Sequence, residues 1–391
     1  MNTRHPHEPQ AVSPRSVIGA STVLFTVGIL TGSWGPMIPQ YAVRADTTVA
    51  NVGILIGVAS GTGFVVVLIG GALVARFEVR RVIQLATVII ALGLVGLALS
   101  SSLPLLATAA ALAGGGTALA NLSTNQSVSR SGHESAMTHT SVVNTIYSVG
   151  AVSFPLLIAV GVSGRTLLLL SAVIALIGGV LVNSLDWVVP RVSAVQQARS
   201  ASTWTIVALF LIGLGSAVAL ETSIAGWLPT AVVRSGASET LGAWAATIFY
   251  LAMTVGRIIT SVIGARARPA VLVVGGMALT LILLVVSAPF KPYIGITIVG
   301  FLLAPMFPGT AVWLARLTPG DPSPTTWMQL AAQTGGTIVP PIVGYMLQDT
   351  SVAFSLVLAP VALISLLAYS GVLLMVRRGA KPSDSAIVGA A

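Results

Sequence analysis

WTIVALFLIGLGSAVALETSIAGWLPTAVV, residues 204–233, carries a single charged side chain, Glu221, in a run long enough to decide the fold. A hydrocarbon layer about 30 Å thick is crossed by about 20 apolar residues in helical form. This run is therefore a membrane span with one acid inside it. The whole chain has the same character. Its 391 residues are 55% hydrophobic and 7% charged, with a mean hydropathy of +0.96, where a soluble protein carries roughly 25% charged residues. There is no cysteine, so disulfides, thiol nucleophiles and thiolate metal sites are excluded together. The net charge of +9 sits in short basic clusters between apolar runs, a pattern of membrane topology rather than of nucleic-acid binding.

Charge-poor stretches of spanning length fall at 17–42, 50–75, 82–100, 104–127, 137–161, 165–185, 204–232, 241–264, 270–288, 292–315, 325–347 and 352–376, which predicts an all-α membrane protein of twelve transmembrane helices. With the amino terminus inside, only Arg44, Arg165, Arg234 and Lys291 fall on outward loops. Every other basic residue except Arg257, which lies within a span, falls on an inward segment, and that bias predicts both termini to be cytoplasmic. Residues 1–16 read as a cytoplasmic tail, 17–185 as a first six-helix bundle, 186–203 as a cytoplasmic linker, 204–376 as a second bundle and 377–391 as a carboxy-terminal tail. The bundles resemble copies of one another. GAVSFP at 150–155 matches GGTIVP at 335–340, and the same offset of 185 carries Gly71 and Arg81 onto Gly256 and Arg266. Trp34 and Pro36 match Trp227 and Pro229 at an offset of 193, which sets Glu221 opposite Gly28. A duplicated six-helix unit is the sequence sign of a secondary transporter whose halves rock about a site near the bilayer midplane.

On these features the chain resembles the major facilitator superfamily over nearly its whole length. The strings ETSIAGWLPTAVV (221–233), FYLAMTVGRIITSVIG (249–264), APMFPGTAVWLARLTP (304–319) and NTIYSVGAVSFPLLI (144–158) are similar to its fucose and glucose symporter branch, where a span-seven carboxylate and a span-eight Gly-Arg pair recur. The resemblance implies a multi-pass carrier in a bacterial plasma membrane, a monomer without cofactor. It would move a small solute, a sugar by analogy, in symport with a proton. GALVARFEVRR (71–81) departs from the superfamily's loop after span two, with Ala75 at its aspartate position and Glu78 at its second glycine. The first six spans hold no acid at all, although the fucose symporter has carboxylates in spans one and four.

Glu221 is the residue that needs explaining. A charge at the centre of a spanning helix costs about 2.5–3.5 kcal/mol on insertion scales, so such residues face a cavity and mark an ion or substrate pathway. Glu221 is the expected proton carrier and a candidate acceptor for substrate hydroxyls; the alternative is a neutral acid bonded to a neighbouring helix. Sodium is the alternative ion, held by one carboxylate with backbone carbonyls. Arg257, the other charge inside a span, lies nearer the cytoplasm by helical rise, which argues against a direct pair with Glu221. It is expected, with Arg76, as a conformational latch that ties down helix ends and snorkels inward.

Asn121, Asn144, Tyr147, Trp227, Tyr250, Gln329 and Gln333 complete the expected solute site with Glu221. An amide offers donor and acceptor together, which suits a hydroxyl, and an aromatic face covers the apolar side of a pyranose. The competing role is hydrogen bonding between helices. Trp34 reads as belt or packing. Asn125, Gln126 and His139 lie at the inner boundary, where polarity needs no special role. Gly114–Gly116 lies inside a span without the following Lys of a phosphate loop, so close helix packing is expected. No converging set of nucleophile and base occurs in the spans, which speaks against an intramembrane enzyme. Drug efflux by the same fold and a non-transporting nutrient sensor remain alternatives.

Overall fold

In lipid a backbone must satisfy its own hydrogen bonds, and an apolar chain without alternating polarity does so as helices. The computed structural model describes residues 14–129, 135–182, 201–263, 268–291, 294–318, 323–349 and 353–378, and among them there is no strand. The elements are α1 (Pro14–Arg44), α2 (Val49–Arg76), α3 (Val79–Leu99), α4 (Leu103–Ser129), α5 (Ser135–Ala159), α6 (Gly164–Leu181), α7 (Ala201–Arg234), α8 (Glu239–Ile263), α9 (Pro269–Val286), α10 (Ile296–Leu303), α11 (Met306–Leu317), α12 (Ser323–Met346) and α13 (Phe354–Arg377). The expected linker lies largely outside the described residues, as do most of both tails. The stretch predicted as one helix at 292–315 is broken between α10 and α11. Pro305 and Pro308, three residues apart, remove two amide donors there and unseat the turn.

Ten spans among the described residues are long and apolar enough to cross a membrane, with α10 and α11 counted together. Val143–Ala159 of α5 is apolar but shorter, and α12 is not among the ten. Helix α12 is less apolar because it carries Gln329, Gln333, Thr334 and Thr337. Outer faces are apolar where a soluble protein would be polar, with Leu92, Ile177, Val271, Ile282 and Leu367 all exposed.

Helices α1–α6 pack chiefly on one another, with α1 against α5 and α6, α4 against α2 and α3, and α3 against α6. Helices α7–α13 do likewise, with α7 against α12, α13 and α8, α8 against α10, and α9 against α13. The seams between these two groups are α2 on α12, α5 on α8 and α1 on α7. The glycine run at 114–116 fits close packing, as expected: Gly114 lies on the Ala59 carbonyl of α2, and a methyl group on Gly116 would stand 2.9 Å from the Ile90 amide of α3. Phe210, Trp313 and Tyr369 tie α7, α11 and α13 together edge to face, with centroids 5.0 and 6.4 Å apart. The Tyr369 hydroxyl is 2.7 Å from that of Thr310.

The repeat shows in the packing. Gly150 of α5 rests on the Phe25 carbonyl of α1, and Gly335 of α12 rests on the Gly215 carbonyl of α7. The α5-to-α12 register is therefore the expected 185. From Phe25 to Gly215 the α1-to-α7 register is 190, not 193, and it pairs the helix-ending Arg44 and Arg234. Glu221 thus stands opposite Thr31 rather than Gly28. Trp34 and Trp227 do not occupy equivalent positions in the two helices.

Candidate functional site

Helix α7 runs unbroken through Glu221, and α8 returns antiparallel beside it. A methyl on Gly242 would stand 2.9 Å from the Pro229 carbonyl, which puts those two residues level. Counted from that level, Arg257 lies about 10 Å further along than Glu221 at 1.5 Å per residue. The two nonetheless form an ion pair, Nη2 to Oε1 3.7 Å, with side chains 27% and 20% exposed. The expectation that they stand too far apart is corrected by side-chain direction. Every Cα–Cβ bond tilts toward its helix's amino terminus, so in an antiparallel pair Glu221 leans toward Arg257 and Arg257 leans toward Glu221. Two long side chains close the remaining gap.

Arg257 also reaches across the seam. Its Nη1 donates to Ser148 Oγ of α5 at 2.9 Å, and its Cζ lies 5.5 Å from the Tyr147 ring centroid. Tyr147 donates its hydroxyl to Thr31 Oγ1 at 3.2 Å, and the buried Tyr250 donates to the Thr31 carbonyl at 3.0 Å. Four helices, α1, α5, α7 and α8, therefore meet around one acid and one base. No hydrogen bond from the described residues reaches the Glu221 carboxylate. Its ionic partner among the described residues is the guanidinium at 3.7 Å.

The amides form a line leading to this cluster. Asn125 Nδ2 donates to the side-chain and backbone oxygens of Asn121, and Asn144 Nδ2 donates to Asn125 Oδ1 at 3.4 Å. Ser148, one turn beyond Asn144, donates to the Asn144 carbonyl at 3.1 Å while accepting from Arg257. Asn125 therefore has a partnered role that its boundary position did not suggest. Ser148 went unnoticed, although its spacing of four from Asn144 puts it on the same face. The side chains of Gln126 and His139 lie outside the described residues.

Gln329 and Gln333 are half-buried on α12. The Gln333 amide lies over Gly63 of α2, in the other seam. Trp227 is 1% exposed and donates its indole N–H to the Pro340 carbonyl at 2.7 Å. It fills a slot between Gly53 of α2 and Gly344 of α12. That enclosed position makes it part of the helix packing rather than of an open cavity. Arg76 is exposed at the end of α2 and makes no ion pair with the described residues. The charge pairing in that loop is local instead, with Glu78 holding Arg80 at 3.2 Å and Arg81 at 3.1 Å. A cleft of about 370 Å³ lined by Val17, Ile18, Ser21, Thr22, Phe25 and Ile146 holds no charged group and is separate from the cluster.

An all-helical, multi-pass membrane protein with an ion pair at the seam of two helix groups has the architecture of a secondary transporter. Residues 20–230, more than half of the chain, match the Major Facilitator Superfamily profile, and the protein belongs to that family. Its fold is similar to that of a single-site mutant of the nucleoside transporter NupG, at a TM-score of 0.70 and 12% identity over 92% of this chain and 99% of that one. It is also similar to the Major Facilitator Superfamily transporter FucP in the outward conformation, at a TM-score of 0.65 and 15% identity over 92% and 98% of the two chains. No curated protein sequence matches the chain.

Proposed function

We propose that this protein is a proton-coupled carrier of a small polar solute of the sugar class, working by alternating access in the plasma membrane. In this reading it is a monomer of twelve spans, α10 and α11 forming the tenth, with both termini cytoplasmic. Its moving units are 17–185 and 204–376, joined through 186–203. Glu221 takes up and releases the proton. Asn121, Asn144, Tyr147, Gln329 and Gln333 present amides and a hydroxyl to the solute, and Tyr250 steadies α1 against α8.

The observation that carries the reading is the Glu221–Arg257 pair with Arg257 held on Ser148, because it links the one acid inside the spans to the opposite helix group. Protonating Glu221 removes the counter-charge of Arg257 and loosens its place at the seam. Arg257 is thus the latch, by way of Ser148 rather than helix ends, while nothing supports that role for Arg76. The similarity in fold to a nucleoside transporter agrees with a hydroxyl-bearing solute. The test is Glu221→Gln in reconstituted vesicles with labelled sugars. Accumulation driven by a pH gradient should vanish while expression stays intact. Concentrative uptake that persists unchanged at every pH would remove Glu221 as the proton site.

A further inference from the structure

Charge counting at the seam says more about the solute. The interiors of the spans hold one acid and one base, and these face each other. With both ionised, the empty carrier is neutral across its middle. A proton loaded onto Glu221 leaves Arg257 without a counter-ion in a region of low dielectric, where an unpaired charge is costly. A neutral solute cannot supply the missing charge. A monoanion can.

We propose that the solute carried with the proton is a small hydroxylated monocarboxylate, such as a sugar acid, whose carboxylate replaces Glu221 on Arg257. The inference rests on the reading of Glu221 as the proton site. The exchange balances: the ionised pair, the solute carboxylate and one proton become a protonated Glu221 and a solute–arginine pair, so empty and loaded carriers are both neutral. A dianion such as a phosphate monoester would leave the loaded site negative.

The geometry favours such an exchange. Glu221 sits on Arg257 at 3.7 Å, beyond hydrogen-bonding distance, and no other group among the described residues holds its carboxylate. Arg257 spends one N–H on Ser148 and keeps further donors of its planar fork for a carboxylate, the group that fork recognises best. Both side chains are partly exposed. Arg257 of α8 faces Glu221, the Tyr147 ring of α5 lies beneath that guanidinium, and Tyr250 of α8 donates to the Thr31 carbonyl. Helix α1 contributes the uncharged Thr31, Gln333 of α12 lies over Gly63 in the other seam, and Tyr369 of α13 packs on Phe210. Among the described residues no second acid pairs with Arg257 to replace a protonated Glu221. The line Asn121–Asn125–Asn144 supplies partners for the solute's hydroxyls.

Thermal shift and vesicle uptake with two matched pairs, D-glucuronate against D-glucose and D-gluconate against sorbitol, decide the matter. The acid of at least one pair should stabilise the purified protein. Its apparent affinity should rise about tenfold for each unit fall in pH while Glu221 is ionised, because one proton is linked to binding. Glu221→Gln should bind that acid at least as tightly as the native protein and without the pH dependence. Arg257→Gln should lose it, and Arg257→Lys should recover part of it, which separates loss of charge from loss of fold. Stabilisation by glucose or sorbitol alone, by none of the four, or by an acid whose effect survives Arg257→Gln would overturn the proposal. If only the neutral compounds act and Glu221→Gln still abolishes pH-driven accumulation, the anion is wrong and the proton site stands. If Glu221→Gln leaves accumulation intact, the proton site itself is wrong.

Discussion

Gly57→Ala should unlatch the α2–α12 seam without unfolding either helix group. A methyl group at Gly57 would stand 2.7 Å from Cγ of Pro341 and 2.9 Å from the carbonyl oxygen of Thr337. That carbonyl lacks its helical donor because Pro341 has no N–H, so it sits close to the glycine. Ordinary contact begins at 3.4 Å, so α2 and α12 would have to part by about 0.7 Å there, the steep side of the van der Waals potential. Overpacking of this kind costs about 1–3 kcal/mol. Because α2 and α12 belong to different halves, the strain is relieved when the seam opens, and a tenfold change per 1.4 kcal/mol makes the open state about 5- to 150-fold more populated.

A control separates opening from destabilisation. A methyl on Gly93 would stand 2.7 Å from Cα of Ala113, between α3 and α4 of the same half. No rocking motion relieves that clash, so Gly93→Ala should lower Tm and leave the seam closed. The chain has no cysteine, so a single Ser60→Cys, at the seam beside Gly336, gives a clean reporter for a membrane-impermeant maleimide applied from outside. Labelling should accelerate in Gly57→Ala and not in Gly93→Ala. Equal labelling rates in Gly57→Ala and the parent would refute the claim that this contact holds the outer seam shut.

Tyr250→Phe deletes the hydrogen bond from α8 to the Thr31 carbonyl, worth about 0.5–1.5 kcal/mol; the same Ser60→Cys labelling should rise several-fold, and an unchanged rate would mean the bond does not favour the closed seam. Tyr369→Phe leaves the buried Thr310 hydroxyl without its 2.7 Å partner and should cost about 1–3 kcal/mol of stability. Its effect should appear as a lower Tm with normal uptake per folded molecule, since the α7–α11–α13 aromatic cluster lies away from the ion pair.

What the sequence disclosed was what depends on composition and single residues. Apolar runs located the helices, and a lone acid in residues 204–233 pointed to the ion pair with Arg257. The break between α10 and α11 was hidden because a hydropathy run does not register two missing amide donors. The ion pair was hidden because counting rises along separate helices ignores the tilt of side chains toward each amino terminus. Ser148 and Asn125 were hidden for another reason. A serine or asparagine in a membrane helix is ordinary until the facing helix is known, and only the α5–α8 and α4–α5 contacts give them partners. Trp227 misled in the opposite direction, since an indole near the end of a span looks like a cavity wall until Gly53 and Gly344 are seen to enclose it.

The registers of the repeat show where function departs from symmetry. The shift of 185 between α5 and α12 sets Asn144 opposite Gln329 and Ser148 opposite Gln333, so both halves place a polar pair one turn apart on the same seam-lining helix. The shift of 190 between α1 and α7 sets Thr31 opposite Glu221. The polar pair on this helix is thus duplicated, although Tyr147 falls opposite Ala332, while the charge is not. In the first half the equivalent place holds a hydroxyl that accepts from Tyr147 and a backbone carbonyl that accepts from Tyr250. A symmetric pair of acids would repel across the seam or need two protons per cycle. In the proposed mechanism one acid opposed by a threonine would let a single protonation act on a single latch, at the place where α8 bridges to both α1 and α5. On the proposed mechanism, an asymmetric site on a symmetric frame is the simplest arrangement by which one proton would move two bundles.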